Sequence, residues 1–306
     1  MRVAIIGQQD FGKATMEAFL KRGDEVAAVF CAPEKGRPDP LRVAAQERGL
    51  TVHQLPKLTD PAALDAMKAA NVQVGVMAFV TQFVPQSLCA IPQFGTIQFH
   101  PSLLPLHRGA SSMSWSIILG RKETGFSIFR PTDGLDEGPV LLMRSVAIEP
   151  DDTLGTLYFN KIFPAGVQGL LDGADLVVAG KATEQTQDES NAGYEGIIRD
   201  AESRINWASH VDITYNLIRG CNPAPGAWSR LDGKMVKIFD AKPFPAKDPK
   251  GIAGKMGEIA AVEGDGFLVV CADGRFKVTR VQADGPKLAA HEFAANAGLG
   301  PGMRFS

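Results

Sequence analysis

A histidine at the predicted end of a strand is the first residue in this sequence that could do chemistry. The apolar segment 95–99 leads directly into His100, and Pro101 and Pro105 then restrict the backbone of the following loop. Because the charge of an imidazole changes near neutral pH, His100 could act as a general acid or base. Taken alone, a histidine in this position is more often a hydrogen-bonded structural residue, but the stiff loop after it favours a functional side chain.

Two carboxylates follow the next long predicted strand, in the sequence RPTDGLDEG. Asp133 and Asp136 lie in this stretch, and the glycines on both sides of Asp136 indicate a turn at a strand end. If strands 95–99 and 125–130 are neighbours, both loops open at one edge of the sheet. An aspartate could then come within about 2.6–3.2 Å of the imidazole, directly or through one water, and orient it. Ordinary turn chemistry stays open as the alternative for both aspartates.

The elements that must position these residues alternate between strand and helix over the first 100 residues. The predicted strands are 2–6, 25–31, 51–54, 72–80 and 95–99, and the predicted helices are 12–22, 41–48 and 61–70, with a helical turn at 85–90. Continuous apolar strands between amphipathic helices are typical of a largely parallel sheet that is covered on both faces. Ligands of such sheets bind at the carboxyl ends of the strands, where His100 is predicted to lie.

The remaining sequence predicts further helices and then a region of short strands. The expected elements are a helix at 111–120, strands at 125–130 and 140–147, a long helical region at 151–180 capped by Asp151 or Asp152, and a helix at 211–219. The polar stretch 181–200 is the candidate boundary, so we expect an N-terminal domain at 1–204 and a C-terminal domain at 205–306. Short strands separated by Gly, Pro and Asp turns indicate a small β-barrel in the second domain.

The composition excludes several classes of protein. A net charge of −2 gives no overall basic field for DNA, and no run approaches the roughly 20 apolar residues of a membrane helix. The N-terminus does not resemble a signal peptide, because its apolar run stops at Ile6. The cysteines are scattered and are expected to be reduced structural thiols of a cytoplasmic protein, and no ligand spacing suggests a metal. They are Cys31, Cys89, Cys221 and Cys271.

A glycine loop after the first strand could be mistaken for a dinucleotide-binding motif. Gly7 ends the strand and Gly12 lies in the following helix, but the middle position of the motif is Gln9. A glycine is needed there so that the backbone can approach a pyrophosphate. A tight turn between strand and helix is therefore the better interpretation, and the loop argues against an NAD enzyme.

The two segments FHPSLLPLHRGASSMSW and GFSIFRPTDGLDEGPVLL together resemble the folate-dependent formyltransferases that use 10-formyltetrahydrofolate. The signature of that family is a His, then S-L-L-P and R-G-A, and a distant G-x-D-x-G-type loop. The resemblance covers about residues 1–245 and looks closest to the hydrolase domain of 10-formyltetrahydrofolate dehydrogenase, as CAPEKGRPDPLRVAAQERG and DDTLGTLY also indicate. It implies an α/β protein with a Rossmann-like formyltransferase domain and a small C-terminal, OB-like β-barrel.

The resemblance also implies which residues form the site. His100 and Asp136 would be the catalytic pair, and Gln98 replaces an Asn whose amide binds the formyl oxygen in the family. The amide of Gln98 is one methylene farther from the backbone, so its role is open. Ser102, His107 and Arg108 belong to the adjacent loop, where Arg108 could contact an anionic acceptor or the folate tail. The implied folate-binding residues are Ala78, Phe79, Val80, Gln82, Phe83, Leu104, Thr132, Asp133, Gly134 and Leu135.

The acceptor of the formyl group remains open among three possibilities. Water would give formate and tetrahydrofolate, an amine of methionyl-tRNA or of an amino sugar would be formylated, and a folate-binding module would turn over little. The methionyl-tRNA enzymes carry a longer, lysine-rich loop where this chain offers Lys35 and Arg37 against Glu34 and Asp39, which favours water. The segment NPAPGAW, in contrast, resembles the transferases.

Overall fold

The computed structural model describes residues 1–34, 36–247 and 252–306, so Lys35 of the loop compared above lies outside the described residues. The described chain divides into two compact units. The first unit comprises Met1–Gly109, Thr124–Val146 and Phe159–Tyr194, and the second comprises Ala110–Glu123, Ala147–Tyr158 and Glu195–Ser306. The domain boundary expected between residues 204 and 205 stays a prediction.

Strands and helices alternate along the first part of the chain and strands dominate the last. The strands are β1 (Arg2–Gly7), β2 (Glu25–Cys31), β3 (Val52–Gln54), β4 (Val74–Ala78), β5 (Thr96–His100), β6 (Glu123–Phe129), β7 (Val140–Ala147), β8 (Ala227–Leu231), β9 (Lys234–Pro245), β10 (Ile259–Glu263), β11 (Gly266–Val270), β12 (Gly274–Gln282) and β13 (Leu288–Ala289). The α-helices are α1 (Gln9–Arg22), α2 (Pro40–Glu47), α3 (Pro61–Ala70), α4 (Gln86–Cys89), α5 (Ser112–Ile118), α6 (Leu154–Leu157), α7 (Phe163–Val178), α8 (Val211–Gly220) and α9 (Ala290–Ala297). Within the described part of the chain, none of these helices has both the length and the apolar content that a membrane crossing requires.

The described strands of the first unit form one seven-stranded sheet in the order β3-β2-β1-β4-β5-β6-β7. Neighbours from β3 to β5 run parallel, whereas β6 runs antiparallel to β5. The predicted mostly parallel α/β sheet is therefore confirmed. Because β1, β4 and β5 run in the same direction, their carboxyl ends meet at one edge, which is where sheets of this kind bind ligands.

Helix α7 packs against the sheet through glycines that face aromatic residues of two strands. A Cβ atom at Gly166 would lie 2.4 Å from the ring of Phe99, and one at Gly169 would lie 2.3 Å from the ring of Phe126. Both rings are buried in this contact. Since side chains alternate along a strand, the placement of Phe99 against α7 directs the residues before and after it to the opposite face of the sheet.

The substitution Gly169→Ala tests this packing. Its methyl group would overlap the buried ring of Phe126, and we expect a loss of about 1–3 kcal/mol in the free energy of unfolding. The measurement is urea unfolding followed by circular dichroism. Gly196→Ala is the control, because a Cβ at Gly196 meets no atom within 4 Å. Equal stability of the two variants would contradict the proposed contact.

The long helical region expected at 151–180 is interrupted, and the predicted cap is wrong. A π-helical turn at Tyr158–Ile162 separates α6 from α7. The interruption precedes Pro164, whose nitrogen carries no hydrogen to continue the helical hydrogen bonds. The cap of α6 is Thr153, whose hydroxyl accepts a hydrogen bond from the backbone of Thr156 (3.1 Å), while the Thr156 hydroxyl accepts one from the Thr153 backbone (2.9 Å). Asp152 instead accepts a hydrogen bond from the Glu149 amide.

The second unit contains an antiparallel sheet, as predicted for the C-terminal region. Its described strands follow the order β10-β11-β12-β9-β8, and β13 pairs with β12. Single bridges join Arg304 to Glu258, next to β10, and Phe305 to Leu231 at the end of β8. The C-terminal residues therefore connect the two outer strands of the sheet. Strand β8 and helix α9 were not predicted from the sequence.

The four cysteines are free and buried. Burial raises the pKa of the Cys31, Cys221 and Cys271 thiols to about 12 and that of the Cys89 thiol to about 11. Because the thiolate is the reactive form, these side chains should be poor nucleophiles near neutral pH.

We therefore expect the native protein to react slowly with a thiol-specific disulfide reagent at pH 8. In denaturant, where the thiols are exposed and regain their ordinary pKa, four equivalents should react quickly. A spectrophotometric thiol titration with and without denaturant makes the comparison. A thiol that reacts at the denatured rate in the native protein would contradict the burial described here.

Candidate active site

The imidazole of His100 is held at the end of β5 by a main-chain carbonyl. Its Nε2 atom lies 2.9 Å from the carbonyl oxygen of His107. A carbonyl oxygen only accepts hydrogen bonds, so Nε2 must carry the hydrogen and donate it. In the neutral ring the lone pair therefore lies on Nδ1, which makes Nδ1 the nitrogen that can take up a proton.

Asp136 lies directly on the Nδ1 side of this ring. Its Oδ2 atom is 3.4 Å from Nδ1 of His100 and accepts a hydrogen bond of 3.0 Å from the backbone amide of Gly109. Its Oδ1 atom lies 3.5 Å from the Nε2 atom of Gln98. Only 5% of His100 and 7% of Asp136 is exposed, so water screens the interaction between the ring and the carboxylate only weakly. A proton that arrives at Nδ1 would therefore be held between the ring and the carboxylate.

The two residues meet, but not by the route that the sequence suggested. Strands β5 and β6 are neighbours, yet they run antiparallel, so Phe129 at the end of β6 pairs with Gln98 and the loop after β6 does not begin beside His100. The expectation that both loops open at one edge was therefore wrong. Instead, the loop of residues 131–138 returns along β5 and is closed by a hydrogen bond from the Arg130 amide to the Pro139 carbonyl. The backbone of Asp136 has a φ of +55°, a left-handed conformation that Asp tolerates better than most residues.

Gln98 lies two residues before His100 on β5, so both side chains project from the same face of the sheet. Its amide is partly exposed and its contact with Asp136 is long, at 3.5 Å. The amide can therefore reorient toward a ligand beside the carboxylate. Its role as replacement for the family's Asn stays a prediction.

The segment after β4 brings two aromatic rings to the same edge of the sheet. Ala78 is buried and ends β4, which pairs with β5 so that Met77 lies opposite Gln98. Phe79 follows with a φ of +60°, a strained conformation for an aromatic residue, and 47% of it is exposed. Phe83 is also exposed. Strained backbone and exposed apolar rings at a strand end are what a ligand-binding edge presents.

Two neighbours in this segment are positioned differently. Val80 is partly buried and packs against a cluster of buried hydrophobic residues of the first unit. The amide of Gln82 donates hydrogen bonds to the carbonyls of Leu55 (2.8 Å) and Pro56 (3.1 Å). Gln82 therefore anchors the loop, and its amide nitrogen is already engaged within the protein.

The loop that carries Asp136 is tied to the segment after β4. Gln86 donates from its backbone to Asp133 Oδ1 (3.1 Å) and from its side chain to the carbonyl of Pro131. Leu135 is 57% exposed, and Thr132 and Gly134 beside it are also exposed. The predicted folate residues on the two segments are thus held close to each other by hydrogen bonds.

Three predicted site residues lie inside the protein rather than at this edge. Leu104 is buried against Phe129 and Val140. The Ser102 hydroxyl is buried and donates to the carbonyl of Leu106 (2.6 Å). Arg108 is 1% exposed, so the structure does not present its guanidinium to an acceptor or to a folate tail.

Two functional contacts were not foreseen from the sequence. The Gly109 amide binds the Asp136 carboxylate, and the side chain of Gln187 donates to the carbonyls of Asp136 (2.8 Å) and Gly138 (2.7 Å). A backbone amide leaves no trace in the residue pattern, and Gln187 lies in the polar stretch 181–200, which the sequence indicates only as a candidate domain boundary.

The glycine loop after β1 has a steric explanation. A Cβ at Gly7 would lie 2.0 Å from the carbonyl oxygen of Ala78, so only glycine allows β1 and β4 to approach here. Gln9 has a φ of +59°, and its backbone amide donates a hydrogen bond to Oδ2 of Asp39 (2.8 Å). Among the described residues, no group of three or more His, Cys, Asp or Glu side chains has a metal-binding arrangement.

Comparison with known proteins identifies the family of this chain. A family model described as formyl transferase matches residues 1–172, and one described as formyl transferase, C-terminal domain, matches residues 197–298. The chain belongs to the formyltransferase family. The resemblance inferred from the two sequence motifs is thereby confirmed.

Relatives of this chain carry the names of more than one activity. Mitochondrial 10-formyltetrahydrofolate dehydrogenase of Homo sapiens is 38% identical over 257 residues, which cover 82% of this chain but only 28% of that protein. Methionyl-tRNA formyltransferase of Geobacter metallireducens is 34% identical over 312 residues, covering 99% of this chain and 98% of that enzyme. The two relatives therefore show one family with two differently named activities.

Solved structures share the fold of this chain at low identity. HypX of Aquifex aeolicus, in complex with tetrahydrofolic acid, has a TM-score of 0.70 at 18% identity, covering 97% of this chain and 47% of that one. WlaRD, a sugar 3N-formyl transferase determined with dTDP and 5-N-formyl-THF, has a TM-score of 0.68 at 16% identity, covering 94% and 98%. These likenesses support the two-part formyltransferase fold.

Proposed function

We propose that this formyltransferase-family enzyme hydrolyses 10-formyltetrahydrofolate to formate and tetrahydrofolate. The observation that carries the proposal is the contact of His100 Nδ1 with Asp136 Oδ2 at 3.4 Å, with Gln98 on the same face. Attack of water on a formyl carbon requires a base for the proton, a group that stabilises the protonated base and a donor to the formyl oxygen. The imidazole nitrogen, the buried carboxylate and the amide can fill these three roles.

The proton of the attacking water goes to Nδ1 of His100, because Nε2 is already donating to the His107 carbonyl. The new C–O bond forms at the formyl carbon while charge develops on the formyl oxygen, where an N–H of Gln98 stabilises it. Asp136 holds the protonated ring through Oδ2. The C–N bond to the folate nitrogen then breaks, and Nδ1 returns its proton to that nitrogen. The carbonyl re-forms as this bond breaks and gives formic acid, which loses its proton to solvent and leaves as formate. Tetrahydrofolate also leaves, and both side chains are restored.

The apolar edge beside this group suits the rings of a folate. Phe79, Phe83 and Leu135 expose large apolar surfaces next to the polar cluster. An aromatic ligand would bury this surface, while the polar atoms at the strand end would orient it. We therefore propose 10-formyltetrahydrofolate as the substrate and expect the product tetrahydrofolate to bind at the same edge. We also propose that the enzyme works in the cytoplasm.

Transfer to an amine is the second candidate. It is supported by the Geobacter methionyl-tRNA formyltransferase, which this chain matches over 98% of that enzyme's length. An amine would replace water as the nucleophile and His100 would accept its proton in the same way. We favour water because the dehydrogenase relative has the higher identity, 38%, and because the loop around Arg37 carries opposing acidic residues.

We expect pure protein to release formate from 10-formyltetrahydrofolate without any acceptor. His100→Ala and Asp136→Asn should each lower kcat by about 10²–10⁴-fold, because each removes a partner of the proton transfer. The measurements are formate release and tetrahydrofolate absorbance under identical conditions. Tetrahydrofolate affinity, measured by calorimetry, serves as the control for folding and binding.

Three outcomes would count against hydrolysis in different ways. Formate release that begins only when methionyl-tRNA or an amino sugar is added would support the transferase instead. Tight binding of tetrahydrofolate with no product under any condition would indicate a binding module. Full activity of the His100 variant would remove the catalytic assignment itself.

The substitution Gln98→Met tests the amide separately. Methionine has a similar size but no N–H, so we expect kcat to fall by about 10²–10³-fold, the usual loss for one oxyanion donor, with little change in KM. Steady-state hydrolysis kinetics provide both values. Unchanged kcat would show that Gln98 does not contact the formyl oxygen.

A further inference from the structure

The backbone that carries Asp136 is held by a segment far away in the sequence. We call residues 185–194 the strap. Its first residue exchanges two backbone hydrogen bonds with Val140, at 2.8 and 2.9 Å. Near its other end, Gly193 accepts a hydrogen bond from the Arg108 amide (2.8 Å) and donates one to the Pro105 carbonyl (3.0 Å). The strap is therefore anchored both beside the Asp136 loop and on the loop that follows His100.

Gln187 is the only described strap residue that is buried, and its side chain connects these two loops. Its two N–H groups donate to the carbonyls of Asp136 and Gly138, at 2.8 and 2.7 Å. Its oxygen accepts hydrogen bonds from the Nε (3.1 Å) and Nη2 (2.8 Å) atoms of Arg108. All the hydrogen-bonding capacity of this amide is thus used to link the carbonyls of Asp136 and Gly138 to Arg108.

Arg108, which binds the oxygen of Gln187, is itself held in place by further hydrogen bonds. Its remaining N–H groups bind Glu189 at 2.6 and 3.0 Å and the hydroxyl of Tyr194, whose ring lies 5.0 Å from the guanidinium carbon. The hydrogen bonds to Glu189 raise the pKa of the guanidinium above its usual range, so the cation persists at all working pH values. Tyr194 in turn donates to Glu137 (2.8 Å), the residue next to Asp136.

We propose that Gln187 is a positioning residue that sets the distance between Asp136 and His100 by holding the left-handed backbone of the Asp136 loop. The proposal rests on the function proposed above for Asp136. The residue whose carboxylate contacts Nδ1 has a φ of +55°, and the hydrogen bonds to its carbonyl and to that of Gly138 oppose relaxation of this strained turn. A displacement of about 1 Å in a catalytic group costs up to about 10²-fold in rate.

The substitution Gln187→Glu tests the proposal with little change in size. One carboxylate oxygen of the glutamate still accepts hydrogen bonds from Arg108. The other replaces the nitrogen that donates to the carbonyls of Asp136 and Gly138, so both of these hydrogen bonds are lost. We expect kcat for formate release to fall about 10- to 100-fold while KM and the affinity for tetrahydrofolate change less than about 3-fold. Gln185→Glu is the matched control, because that side chain is exposed and only the backbone of Gln185 is bonded, and it should keep the wild-type kcat.

A double-variant comparison separates positioning from a general structural role. If Gln187 acts through Asp136, adding Gln187→Glu to Asp136→Asn should cause no further loss in the residual single-turnover rate. A further loss of the same size, or a parallel fall in tetrahydrofolate affinity, would overturn the proposal. So would a wild-type kcat in Gln187→Glu. If that variant fails to fold, Gln187→Met removes the same donors without placing a charge, and the same outcomes apply.

Failure of the proposed function is distinguishable from failure of this inference. If Asp136→Asn keeps the wild-type rate, the catalytic assignment is wrong and the positioning role is lost with it. If Asp136→Asn is impaired and the folded Gln187 variant retains full kcat, only the positioning role is wrong.

Discussion

The hydrogen bond from His100 Nε2 to the carbonyl of His107 is the constraint on which the chemistry of this protein depends. It uses one nitrogen of the ring, and it fixes the other, Nδ1, on the side where Asp136 lies. The carbonyl belongs to His107, whose backbone has a left-handed φ of +55°. The position of this one oxygen atom therefore determines which nitrogen of His100 can exchange a proton.

The rest of the first unit positions two loops around that ring, the loop after β5 and the loop that carries Asp136. The glycines of α7 leave room for the ring of Phe99 on one face of the sheet. Because side chains alternate along a strand, Gln98 and His100 then project from the other face of β5. The Gly109 amide and the Gln187 side chain then hold Asp136 from two sides. Burial of the Arg108 guanidinium costs desolvation free energy, so we attribute its place in the structure to the geometry that its hydrogen bonds maintain rather than to a gain in stability.

The sequence predicted the sheet well because continuous apolar strands and amphipathic helices are local patterns. Each strand expected within residues 1–147 lies within two residues of its predicted bounds. The direction of β6 could not be predicted, because an apolar strand has the same pattern whether its neighbour is parallel or antiparallel. The choice of Thr153 over the preceding aspartates as the cap depended on a reciprocal contact with Thr156, which residue preferences alone do not distinguish. At the site, the motifs predict His100, Asp136 and Gln98, which the structure brings together, whereas Gln187 contacts the Asp136 loop across a sequence distance that no local pattern records.

The measurement that tests the central claim most directly is the tautomer of His100, observed by long-range ¹H–¹⁵N NMR of protein labelled at histidine. The His100 signal is assigned by its loss in a His100→Asn variant. At a pH where the ring is neutral, the account predicts a hydrogen on Nε2 and a lone pair on Nδ1, with the Nδ1 resonance shifted in Asp136→Asn. A neutral ring protonated on Nδ1, or an Nδ1 resonance that does not respond to the Asp136 substitution, would contradict it.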